Sequence, residues 1–145
     1  MKYLALVLCL AGLSPLLRAD GIPTGTWVMR PNKNNTVSTM IVETAGTGQK
    51  FTFNVKVAGG GTATMVVTTQ GDGKDAVVFV DGKPSDETMA IHKIDDRHFI
   101  NVIKMDGKPM ASQKSEVSAD GKVIKVDGTP TAAGAQPTVE YWDKK

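Results

Sequence analysis

The chain predicts an all-β fold, a single antiparallel up-and-down β-barrel of eight to ten strands, and three observations carry that expectation. Asp-Gly-Lys occurs four times, at Asp72-Gly73-Lys74, Asp81-Gly82-Lys83, Asp106-Gly107-Lys108 and Asp120-Gly121-Lys122. Asp-Gly suits the two central positions of a type I′ turn, where φ is positive and glycine carries no Cβ penalty. Between these turns lie short runs rich in Val, Ile, Thr and Phe, the composition of strands that fold back on one another. After Ala19 no window of twelve residues shows a helical period, so a helix of any length is not expected. A meander of this length tends to close on itself.

Ten segments read as strands. Gly25–Met29 opens with Gly25-Thr26-Trp27, and Val37–Glu43 follows as a mixed Val/Thr/Ile run. Lys50–Val57 has the clearest pattern: Phe51, Phe53, Val55 and Val57 alternate with polar residues, the mark of a half-buried strand. Thr62–Thr69, Ala76–Val80, Thr88–Ile94 and His98–Met105 are the next four, each rich in apolar or β-branched residues. Met110–Ser118, Lys122–Val126 and the aromatic Thr138–Asp143 complete the set. The connections Ala45–Gln49, Gly59-Gly60-Gly61, Gln70–Asp75, Asp81–Glu87 and Asp95–Arg97 are short, and most contain glycine. The one longer connection is Asp127–Pro137.

The first nineteen residues read as an export signal. Lys2 gives a minimal positive start, Tyr3–Leu13 is apolar, and Ser14-Pro15 ends that run before Leu17-Arg18-Ala19. The apolar stretch is too short to span a bilayer, so cleavage after Ala19 is expected, with a secreted or periplasmic product and no membrane insertion. Cys9, the single cysteine, would leave with the signal, and residues 20–145 would form one disulfide-free barrel domain. Lys2 and Arg18 would leave too, so the 17 basic residues fall to 15 and match the 15 acidic ones. A neutral chain argues against nucleic acid or an anionic membrane as the main partner.

Gly25-Thr26-Trp27 on the first strand resembles the Gly-x-Trp signature of lipocalins and their calycin relatives. The stretch from Asp72 to Lys144, with Ile94-Asp95-Asp96-Arg97, Ser118-Ala119-Asp120-Gly121-Lys122 and the Tyr141–Lys144 ending, is similar to small secreted bacterial lipocalin-like proteins. The resemblance implies a barrel whose Trp27 plugs one end and whose interior binds a small, largely apolar molecule. Calycins usually set an Arg from a late strand against that Trp; here Lys144 or Arg30 would have to substitute.

The candidate ligand-binding residues are Phe53, Val55, Met65, Val78, Ile100, Val102 and Tyr141, with Phe51, Val67 and Val80 also available to line or fill the interior. Trp27 and Lys144 are the candidates for barrel closure. Fatty-acid carriers commonly hold a carboxylate with buried Arg and Tyr. Neither Arg30 nor Arg97 lies within a strand segment, so an anionic ligand would need an inward lysine such as Lys104 or Lys114. His92 and His98 flank the Ile94–Arg97 turn and, with Asp95 or Asp96, could form a metal site or a calycin-type active site only if they share a face. No nucleophile has a His-Asp context, so no catalytic residue, metal or cofactor is expected. Asn34-Asn35-Thr36 matches a glycosylation acceptor, which matters only in a host that glycosylates. Besides the apolar-ligand barrel, the chain is compatible with an inhibitor or envelope-associated module acting through Gly59–Gly61 and Asp127–Pro137.

Intact-mass measurement on extracytoplasmic material should give a chain beginning at or near Asp20. A retained N-terminus carrying Cys9 would remove both the export and the charge argument.

Overall fold

The computed structural model of the protein describes residues 21–33 and 38–145. The export segment Met1–Ala19, the Asn34-Asn35-Thr36 triplet and Val37 lie outside these described residues. Ten strands follow one another: β1 Gly25–Met29, β2 Thr39–Ala45, β3 Gly48–Lys56, β4 Thr62–Thr69, β5 Asp72–Val80, β6 Lys83–Lys93, β7 His98–Met105, β8 Lys108–Val117, β9 Val123–Pro130 and β10 Thr138–Lys144. Each pairs antiparallel with its neighbours in sequence, and β10 returns to β1, so the sheet is a closed up-and-down barrel. The turns after β2, β4, β6 and β8 share one end with the segment before β1; this end is the floor. The connections after β3, β5, β7 and β9 surround the other end, the mouth, toward which β1 also runs.

Two Asp-Gly pairs do what their chemistry predicts. Asp81 and Gly82 have φ of 48° and 81°, and Asp106 and Gly107 have 50° and 73°, the left-handed pairs of two-residue hairpin turns. Accordingly Val80 opposes Lys83, and Met105 opposes Lys108. Asp120-Gly121 belongs to a wider turn, in which the Ser118 hydroxyl donates to Asp120 Oδ1 at 2.6 Å and Gly121 N–H to Ser118 O at 2.9 Å. Asp72-Gly73 corrects the expectation of a turn. The reversal is already complete at Gln70-Gly71, and Gly73, at φ 78°, sits inside β5 where the register slips between Asp72 and Asp75. It serves a bulge.

The polar run Lys83–Glu87, expected as a loop, is the first half of β6. Two residues suffice for the tight turn, so pairing resumes at once, with Pro84 opposite Phe79 beside a second register slip. Likewise β9 continues through Asp127 and Gly128 to Pro130 instead of ending at Val126.

The floor is closed by the segment ahead of β1. Trp27 is fully buried, and its Nε1–H donates to Pro23 O at 3.0 Å. The Gln49 side chain meets the backbone of Ile22 twice: Nε2 donates to Ile22 O at 2.7 Å, and Ile22 N–H donates to Oε1 at 3.0 Å. A side-chain amide thus stands in for a strand neighbour and holds Ile22 in the barrel end. Val42, Val67, Val117 and Ile124 belong with Trp27 to the buried core.

The seam between β1 and β10 has three opposed pairs, Trp27 with Lys144, Val28 with Asp143 and Met29 with Trp142. On its outer face Arg30 grips Asp143 with two hydrogen bonds, 2.8 and 2.7 Å, and lies over the Tyr141 ring at 5.2 Å from its centroid. Arg30, one of the two substitutes expected against Trp27, is therefore corrected: β1 alternates, so Arg30 points out where Trp27 points in. Lys144 does oppose Trp27, but its side chain is exposed and passes over Gly25, where a Cβ would crowd it.

Trp27→Ala should cost about 3–5 kcal/mol in urea melts, the usual penalty for emptying a buried aromatic site. A loss below about 1 kcal/mol, closer to that of a surface change, would remove Trp27 from the closure of the floor.

Candidate functional site

Above the floor the barrel encloses a cavity of about 390 Å³. Eight or so strands leave a barrel just wide enough to be filled by side chains, and ten leave room. The apolar part of the wall is built by alternation. Phe51, Phe53 and Val55 come from β3, Met65 from β4, and Met89 and Ile91 from β6. Phe53 stacks with Phe51 at 6.4 Å and meets Trp142 of β10 edge to face, also at 6.4 Å. These rings stiffen one side of the cavity.

Polar side chains enter the same lining among apolar residues of β7 to β10, which also give it Phe99, Ile103, Ile124 and Val126. Asn101 of β7 opposes Gln113 of β8, and Asn101 Nδ2 donates to Gln113 Oε1 at 3.0 Å. Asn101 Oδ1 is buried with no partner. Turning the amide over would exchange which end is unpaired without removing the deficit. Ser115, Glu140, Ser38 and Asn32 complete the polar lining. Ile22 reaches the cavity from the floor, and Phe51, Ile91 and Phe99 separate it from a second recess of about 310 Å³ beside Gln70 and Lys93.

Of the candidate ligand-binding residues, Phe53, Val55 and Met65 line the cavity. Val78 is buried in the core but does not line it. Ile100 and Val102 face outward, because β7 turns Phe99, Asn101 and Ile103 inward. Tyr141 is also outside, beneath Arg30. Trp27 and Lys144 oppose each other at the floor. Lys104, weighed as an anchor for an anion, points outward to Asp75 at 2.9 Å. Lys114 is exposed and shares the outward phase of β8. Asn101, Gln113, Ser115 and Glu140 were not singled out from the sequence. Their signal is faint, being polar residues on the same phase as apolar ones.

His92 and His98 do share a face, the outer one, where each alternates with a cavity-lining neighbour. His92 opposes Ile100, and His98 opposes Glu116, so the rings do not meet as a pair. His98 Nδ1 instead contacts Asp95 at 2.8 Å. Backbone N–H of Arg97, then the His98 ring, hold the Asp95 carboxyl below its ordinary range. Among the described residues no three His, Cys, Asp or Glu side chains come together as a metal site.

Comparison with protein-family models, with characterised proteins and with solved structures finds no match for this chain. The closed antiparallel barrel is compatible with the calycin resemblance.

Glu87 shares the inward phase of Met89 and Ile91 but lies nearer the mouth, outside the lining. Partial burial alone raises its pKa above the ordinary glutamate value. A carboxyl raised in the folded state favours folding below its unfolded pKa, and that contribution is lost as pH rises through the folded pKa. Thermal melts of Glu87→Gln should therefore match wild type in acid and gain on it as pH rises just past the usual carboxylate range. A gap that instead opens toward acid would reverse the assignment.

Proposed function

We propose that the protein is an exported, calycin-type barrel that binds one small, largely apolar molecule in its interior. The observation that carries this reading is the cavity of about 390 Å³, walled by aromatic and aliphatic side chains. Among them stands a small polar set, Asn101, Gln113, Ser115 and Glu140. Ligand sites of about 300–1,000 Å³ typically have that make-up, an apolar body with a few placed polar groups. The lining supports an amphipathic occupant, apolar against Phe51, Phe53 and Met65 and polar toward Asn101.

The test is fluorescence titration with N-phenylnaphthylamine, a neutral hydrophobic probe. Wild type should bind it, and Phe53→Asp should abolish uptake, because a carboxylate would have to enter the apolar wall. Val102→Asp, on the outer face, should leave binding intact, as should His92→Ala and His98→Ala. Uptake that survives Phe53→Asp but fails in Val102→Asp would move binding to the outside of the barrel.

A further inference from the structure

Among the described residues, the walls of the cavity carry a single ionisable side chain, Glu140. It follows from β10 alternation: Trp142 lines the cavity, so Glu140 two residues earlier projects to the same side, opposite Val126. Among the described residues no Lys, Arg or His lines the cavity. Among the described residues Glu140 has no ion pair and no side-chain hydrogen bond. Its neighbours on the outer face do: Asp143 is held by Arg30, and Lys125 pairs with Asp127. The bases around the mouth, Lys33, Lys56, Lys83 and Lys108, are exposed and outside the lining.

From this arrangement we infer that the preferred occupant is a monoamine with an apolar body, its ammonium group at Glu140 and its hydrocarbon against the aromatic wall. The inference rests on the cavity reading above and adds the sign of the ligand's charge. An alkyl ammonium ion stays protonated at neutral pH, as a lysine side chain does. It brings three N–H donors and accepts nothing, which suits a wall of carboxylate and carbonyl oxygens. Trp142 and Phe53 present rings within the same cavity, and a cation beside an indole face gains further attraction. An alkyl carboxylate meets the opposite situation. It would place a second negative charge near Glu140 with no cation to hold it.

Calorimetric titration of the protein at pH 7 with octylamine, octanol and octanoate, which share one chain and differ in charge, tests this. Octylamine should bind about tenfold more tightly than octanol, and octanoate more weakly than either. Glu140→Gln should remove the advantage of octylamine over octanol. Glu140→Lys should reverse the order in favour of octanoate. If octanol binds but octylamine binds no better, or if Glu140→Gln leaves the amine preference intact, the charge assignment is wrong and the cavity reading stands. If Glu140→Gln loses octanol as well, Glu140 serves the packing of the wall and the assignment is again wrong. If none of the three binds the wild-type protein, both readings fall together.

Discussion

A barrel has no free edge only while its first and last strands stay paired, and here that duty falls on the shortest strand. β1 has five residues, and it must satisfy β2 on one side and β10 on the other. Three opposed pairs with β10 make a modest seam, and the structure reinforces it from both faces. Inside, Trp27 and Met29 are buried next to Trp142 and the rest of the core. Outside, Arg30 reaches across to Asp143 and covers Tyr141. An exposed pair of this kind contributes little on its own, but bidentate geometry fixes register. Register is what matters, because a slip by one residue would turn Trp27 and Trp142 into solvent.

The cavity depends on that register in turn. β10 offers Glu140 and Trp142 to the interior and keeps Tyr141 and Asp143 outside. The floor sets the depth of the space by a different device, a glutamine side chain bonded to passing backbone. Gln49 satisfies both polar groups of Ile22, so a segment that belongs to no strand can be buried without orphaned donors.

How far the sequence was legible follows from the same physics. Asp81-Gly82 and Asp106-Gly107 were readable because a turn's φ values are a local demand that its own two residues meet. Asp72-Gly73 was not, since the same dipeptide also suits a bulge, and only the position of the preceding turn decides. The phase of β3 was plain because its outward residues are polar. That of β7 was hidden: His98-Phe99-Ile100-Asn101-Val102-Ile103 is apolar on both faces, and its one neutral polar residue points inward. Asn101 argues for the wrong phase for the very reason that it belongs to the cavity. On β10, Glu140 and Tyr141 exchange the sides that their polarity suggests. A functional wall is where alternation by polarity breaks down, so a reading based on alternation finds the apolar residues and passes over the polar ones.

Both ends of the described chain leave from the floor. Gly21 and Ile22 lie under it, and Lys145 is fastened there by its N–H to Thr26 O at 2.9 Å. A partner attached at Lys145 would therefore start from the side opposite the mouth. Tethering through Lys145, to a surface or to a fused protein, would leave the barrel standing with its mouth turned outward.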